Sequence, residues 1–160
     1  MSRENRRALI ERVISEIRAQ QNTTDAFDEA VCEALGIHRT DHRCLDILER
    51  HGRMTAGKLG AATGLSSGAT TALLDRLVRA GYVRRVPDAG DRRRVLVELT
   101  DEARRIAAEL YGPFADEDRA DLERCTDEQL AFIADFARRS RERNERHIAR
   151  VRRQSRRKSA

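Results

Sequence analysis

Two stretches of the chain hold side chains suited to gripping an anionic polymer. In Gly64-Leu65-Ser66-Ser67-Gly68-Ala69-Thr70-Thr71, four hydroxyls flank a glycine. Hydroxyls bond phosphate oxygens or base edges, glycine lets the backbone come close, and a helix N-terminus attracts a phosphate. Farther on, Arg92-Arg93-Arg94 sets three guanidinium groups beside Asp91, which can hold one of them. Arginines of this kind suit a narrow, negative minor groove. Other chemistries find less support. No GxSxG, P-loop, HExxH or dinucleotide fingerprint is present, so no enzyme activity and no cofactor are expected. The carboxylates of 116–128 alternate with Arg119 and Arg124 as on a solvated helix face. His38 and His42 stand four apart with Cys44 close by, but a helix start at Thr40-Asp41 separates them, so no metal is expected.

The elements that would carry these groups follow from caps and periodicity. Leu9, Ile10, Val13, Ile14 and Ile17 predict an amphipathic helix over about 4–20. Asn22-Thr23-Thr24 predicts a pause and a second helix with Phe27, Ala30, Val31 and Ala34, stopped by Gly36. Thr40 or Asp41 caps a third helix ending at His51-Gly52. Thr55 then caps a short helix to about Ala62, Gly64 breaks it, and Ser66 caps another that runs to Ala80 and closes at Gly81. Two helices with a short glycine-containing link form the helix-turn-helix signature. Leu59, Leu65, Ala69, Leu73 and Leu77 make its expected inner face, with Ser67, Gly68, Thr70, Thr71 and Arg76 turned outward or towards the helix N-terminus.

After Gly81 the period changes to two. Tyr82–Val86 and Val95–Leu99 read as strands around a Pro87–Asp91 turn, which puts Arg92, Arg93 and Arg94 at a hairpin tip. Thr100-Asp101-Glu102 starts a helix that Gly112-Pro113 should kink or restart. Thr126-Asp127-Glu128-Gln129 is a capping box for a last helix with Leu130, Ile133, Phe136 and Ala137 on one face.

Composition agrees with a mostly helical chain. Of 160 residues 39% are hydrophobic, only 4% are aromatic and two are proline, which disfavours a sandwich or barrel. The net charge of +5 is uneven: residues 138–158 hold 11 Lys and Arg against two Glu, leaving 21 basic and 25 acidic residues elsewhere. A basic pI therefore says little about the fold itself, and the Arg-rich segment reads as a solvated helix end that can add non-specific DNA affinity. No membrane-length apolar run or signal-peptide h-region is seen, so a cytoplasmic protein is expected. Cys32, Cys44 and Cys125 fit neither a disulfide framework nor a zinc knuckle. Cys32 and Cys44 read as buried hydrophobes, while Cys125 lies beside Arg124 and a helix start, where a thiol pKa can fall.

Residues from about 40 to 112 resemble the MarR family of winged helix-turn-helix regulators. The resemblance rests on Gly64–Leu77, on Gly81-Tyr82-Val83 and, most specifically, on Asp91-Arg92-Arg93-Arg94-Val95-Leu96-Val97-Glu98-Leu99-Thr100. It implies a mainly α fold with a small β-hairpin wing, dimerised through N- and C-terminal helices. It also implies duplex DNA as partner, a pseudo-palindromic operator and often a small effector. Arg93 stands where the family's wing arginine enters the minor groove, and Ala72 stands where many members carry Arg. The expected organisation is 1–39 for N-terminal dimerisation helices, 40–100 for the DNA-binding domain, 101–152 for C-terminal dimerisation helices and 153–160 for a flexible basic tail.

The expected DNA contacts are Thr55, Ser66, Ser67, Gly68, Thr70, Thr71, Arg76, Asp91, Arg92, Arg93 and Arg94. A homodimer also has physical support, because recognition helices must sit about 34–36 Å apart to meet successive half-sites. Leu9, Val13, Ile17, Phe132 and Phe136 are the candidate apolar seam. His38, Arg39, His42 and Arg43 fall at the junction that the resemblance makes an effector cleft, where an anionic or aromatic small molecule would meet cations. The rival reading is a winged-helix protein-interaction or scaffold module whose basic tail meets an acidic partner.

Overall fold

The computed structural model describes residues 2–91 and 93–158, with side chains as far as Gln154. The chain divides into two compact units, Met1–Leu110 and Tyr111–Ala160.

The first unit opens with α1, Arg3–Leu35, capped by Ser2, whose hydroxyl accepts the Asn5 N–H at 3.2 Å. The sequence predicts two helices here, and the structure has one. Thr23 Oγ1 donates to the Ala19 carbonyl at 2.9 Å, so its hydroxyl bonds back along the helix and caps nothing. Only Val31 and Cys32 of α1 are buried, whereas Leu9, Ile10, Val13 and Ile14 are each more than 40% exposed. Helix α2, Arg39–His51, starts slightly before the expected Thr40 or Asp41 cap. His38 takes the cap position, and the Asp41 carboxylate reaches back to accept its N–H at 3.3 Å.

Strand β1, Met54–Thr55, leads into α3, Ala56–Thr63, and α4, Ser67–Arg79. Thr55 and Ser66 cap these helices as expected, each accepting an N–H at 3.3 Å, from Lys58 and Ala69. Gly64 ends α3 at φ +76°, a conformation that L side chains avoid. Leu59, Leu73 and Leu77 are buried and Leu65 partly so, but the other expected inner residue, Ala69, is exposed. Its place is taken by Thr70, 3% exposed, and by Leu74. The reason is close packing of α3 on α4. A Cβ at Gly60 would lie 2.7 Å from Thr70 Oγ1, which itself donates to the Ser66 carbonyl at 2.9 Å. Gly60→Ala is thus expected to lower unfolding stability by about 1–3 kcal/mol, read from urea midpoints. Adding Thr70→Ala should recover part of the loss; no recovery would show that the contact is not its cause.

Strands β2, Val83–Pro87, and β3, Val95–Leu99, form the predicted hairpin in antiparallel register, Val83 opposite Leu99 and Val86 opposite Leu96. Strand β1, which the sequence does not reveal, pairs with the other edge of β3, giving the order β1-β3-β2. The core lies between α2, α3, α4 and this sheet, around Cys44, Leu48, Leu59, Leu73, Leu74, Leu77, Val83 and Val97. Fully burying each such aliphatic side chain contributes about 1.5–3 kcal/mol relative to exposure.

Thr100 closes the sheet to α5, Asp101–Leu122. Its hydroxyl donates to the Gly81 carbonyl at 2.7 Å and accepts the Ala103 N–H at 3.1 Å. α5 continues through Pro113 without a restart, because proline at that point forfeits one N–H bond within a run that is otherwise helix-compatible. In the second unit, α6 spans Asp127–Lys158 behind the expected capping box. Thr126 N–H donates to Gln129 Oε1 at 2.8 Å, and Gln129 N–H to Thr126 Oγ1 at 3.3 Å. The helix includes residues 153–158, the start of the segment expected as a basic tail. Phe132 and Phe136 stack with ring centroids 6.2 Å apart.

Candidate nucleic-acid interface

The first turns of α4 present a small, open surface. Ser66, Ser67, Gly68, Ala69, Thr71 and Ala72 are exposed, and a Cβ built at Gly68 would touch nothing within 4 Å. Thr71 Oγ1 donates to the Ser67 carbonyl at 3.0 Å, leaving its lone pairs to accept from a ligand. Backbone N–H groups of this first turn point the same way, with the positive end of the helix dipole. Thr70 lies on the other side and is corrected from an outward contact to a packing residue. Thr55, half-buried, spends its hydroxyl on the α3 cap.

Arg76, another expected contact, is partly exposed but also paired within the protomer. Its guanidinium forks onto Asp41, Nη2 to Oδ1 at 2.6 Å and Nε to Oδ2 at 3.4 Å. Asp41 is 2% exposed, and the same carboxylate holds the start of α2. This pair therefore fixes the recognition helix to α2 across 35 residues of sequence. A second pair, Arg85 Nη2 to Asp75 Oδ1 at 2.7 Å, ties β2 to α4, so helix and wing share one frame.

The wing is shaped by its acids. Asp91 Oδ1 accepts the Arg93 N–H at 3.0 Å and its carbonyl accepts the Arg94 N–H at 2.8 Å, so Asp91 bends the backbone at the tip. Asp88 accepts the Gly90 N–H at 2.9 Å and faces the Arg94 guanidinium at 3.9 Å. Among the described residues, Arg93 is exposed and enters no ion pair. Arg92, the other expected wing contact, lies outside the described residues.

Sequence reasoning overlooked Glu98. It is 3% exposed on β3, and both Arg84, at 2.6 Å, and Arg53 hold its carboxylate. The alternation of β3 gave no signal, since it puts Glu98 on the face opposite Val97 and Leu99, where a charged residue reads as solvent-facing. The Arg84 hydrogen bond, helped by Arg53 and opposed by burial, keeps the Glu98 carboxyl below its ordinary range. A lowered folded-state pKa contributes stability above the unfolded value, about 4.3, and loses it as pH falls through the folded value. The urea midpoint of the wild type should thus exceed that of Glu98→Gln at pH 7 and converge on it as the solution is acidified below the ordinary carboxylate range. A constant gap across that range would contradict the pairing.

At the α1–α2 junction, Arg39 Nη2 lies 2.9 Å from Asp25 Oδ1 and Arg39 Nη1 donates to the Asp25 carbonyl at 2.8 Å. His42 Nε2 is 3.9 Å from Asp28, Arg43 is exposed, and His38 serves as helix cap. Burial pushes the Cys44 thiol up to about 11 and raises that of Cys32, which suits both as inert packing groups. Cys125 is half-buried, its Sγ 3.8 Å from the Asp121 carbonyl.

The chain is similar to known proteins. The sequence profile of the MarR family matches residues 35–94. The HTH-type transcriptional regulator YcgE of Bacillus subtilis is 39% identical over 137 residues, covering 85% of this chain and 89% of its own. The HTH-type transcriptional regulator PecS of Dickeya dadantii is 30% identical over 113 residues, 60% of this chain and 68% of that one. Among solved structures, a MarR family protein of Bacillus stearothermophilus superposes with a TM-score of 0.60 at 23% identity, covering 91% of this chain and 99% of its own.

Proposed function

Because this chain belongs to the MarR family of winged-helix, DNA-binding transcription regulators, we propose that it works as a homodimeric repressor on a pseudo-palindromic operator. The first turn of α4 enters the major groove with Ser67, Gly68 and Thr71 at the bases or phosphates, and Ser66 and Thr55 near the backbone. Arg93 reaches into the adjacent minor groove, with Arg94 on the phosphates and Asp91 setting the bend, and Arg92 remains a candidate from the sequence alone. Arg76 holds α4 in register through Asp41. The observation that carries this reading is the exposed Arg93 with no ion pair among the described residues, on a wing paired through Arg85 and Asp75 with a helix whose N-terminal face is open.

The dimer uses the apolar stripes of the terminal helices, Leu9, Val13 and Ile17 on α1 and Phe132 and Phe136 on α6, about a two-fold axis. A small anionic or aromatic effector at His38, Arg39, His42 and Arg43 would compete with Asp25 for Arg39, loosening α1 from α2 and so shifting α4. A cytoplasmic site of action fits the family's DNA partner, and among the described residues no helix is long and apolar enough to cross a membrane. Selection of bound sequences from a randomised duplex pool tests the proposal. Two inverted half-sites centred about 10 base pairs apart, or a multiple of that, are expected. A pool that stays random after repeated rounds would overturn it in favour of a protein-directed winged helix.

A further inference from the structure

The arginines of α6 are ordered. Arg139, Arg143, Arg146, Arg150 and Arg153 follow one another at spacings of four, three, four and three, and Arg157 continues the series in sequence. At 100° per residue they fall within an arc of roughly 80° on the helix and run for about 21 Å along it. All five are exposed. Arg139 is paired with Asp135 and Arg143 donates to Ser140 Oγ at 3.2 Å, whereas Arg146, Arg150 and Arg153 enter no ion pair among the described residues. The two acids of this segment do not relieve the stripe: Glu142 is taken by Arg138 at 2.9 Å, and Glu145 lies on another face. Like charges at i, i+3 and i, i+4 destabilise a helix, so folding alone gives no reason for the pattern.

From this we infer that the exposed arginine stripe of α6 is a second duplex-DNA contact, gripping the phosphate backbone independently of sequence. The inference rests on the DNA-binding reading only for its choice of partner. A duplex offers one negative charge per about 1.7 Å of axis, so a regular stripe of this length meets phosphates all along it. An anionic bilayer is a poorer match, because an interfacial helix needs a broad apolar face, and between 138 and 154 the large apolar side chains are only Ile148 and Val151.

The test compares the wild type with Arg146→Gln/Arg150→Gln/Arg153→Gln and with the same three positions changed to Lys, using fluorescence anisotropy across a salt series. The probes are a random-sequence duplex, the selected operator and vesicles containing phosphatidylserine. The glutamine variant should lose about 2.7 per engaged stripe, about 0.9 per arginine, from the slope of log affinity against log salt, and about 5.4 where both stripes of a dimer meet the duplex. It should bind random duplex at least tenfold more weakly at low salt and keep its operator-to-random ratio, and the lysine variant should behave as wild type. Unchanged melting temperature and solution mass confirm that the variant is folded. A slope equal to the wild type's would overturn the inference, as would lost vesicle binding with both DNA constants unmoved. A wild type with no operator preference defeats the regulator reading alone, since the random-duplex comparison still reports on the stripe.

Discussion

Arg93→Ala is expected to weaken operator binding by about 1–3 kcal/mol, roughly 5- to 150-fold, with dimer mass and melting temperature unchanged. The residue is exposed, and the wing bend is made by the Asp91 carboxylate on the Arg93 backbone N–H, which alanine retains. The substitution therefore removes a guanidinium without disturbing the loop that presents it. Narrow A·T-rich minor grooves attract arginine most strongly. Replacing the operator's wing-facing A·T pairs with G·C should accordingly penalise the wild type and leave Arg93→Ala nearly indifferent. Equal penalties for both proteins, or an unchanged affinity for the single variant, would remove the wing from the interface.

Val13→Asp is expected to act on a larger scale, by splitting the dimer. Val13 is 44% exposed in the protomer and sits in the α1 stripe with Leu9, Ile10 and Ile14. Across a two-fold axis one substitution appears twice, so each interface would bury two unpaired carboxylates, each costing several kcal/mol. A monomer can occupy only one half-site, and operator affinity should fall by about two orders of magnitude or more, towards the non-specific level. Sedimentation or light scattering would read the mass, and circular dichroism the helix content, which should persist in the first unit because none of its core side chains is touched. A dimeric Val13→Asp protein with intact operator binding would place the seam elsewhere.

Features set by local chemistry were legible in the sequence. Thr55, Ser66 and the Thr126–Gln129 pair announced helix starts, and the switch to alternation after Gly81 announced the hairpin. Misreadings arose where a residue had two local options. Thr23 can cap or bond back to Ala19, and only the continuing helix decides. Ala69 and Thr70 are 100° apart on α4, and the close approach to Gly60 chooses which faces inward. Contacts between distant segments left almost no trace. Nothing near Arg76 points to Asp41, and nothing near Glu98 points to Arg53. Those pairs matter to the site because they hold the α4 frame and the sheet beneath the wing, leaving the open first turn of α4 and Arg93 to meet a ligand.

We propose sequence-specific recognition of duplex DNA by α4 and the wing acting together. Its most direct test is a titration of the purified protein with the selected operator and with a scrambled duplex of equal length, at low and moderate salt, with the mass of the complex measured. A dimer bound to one operator, at least about 10³-fold tighter than to the scrambled duplex, is expected, with affinity falling steeply as salt rises. Equal affinity for the two duplexes at both salt concentrations would contradict it.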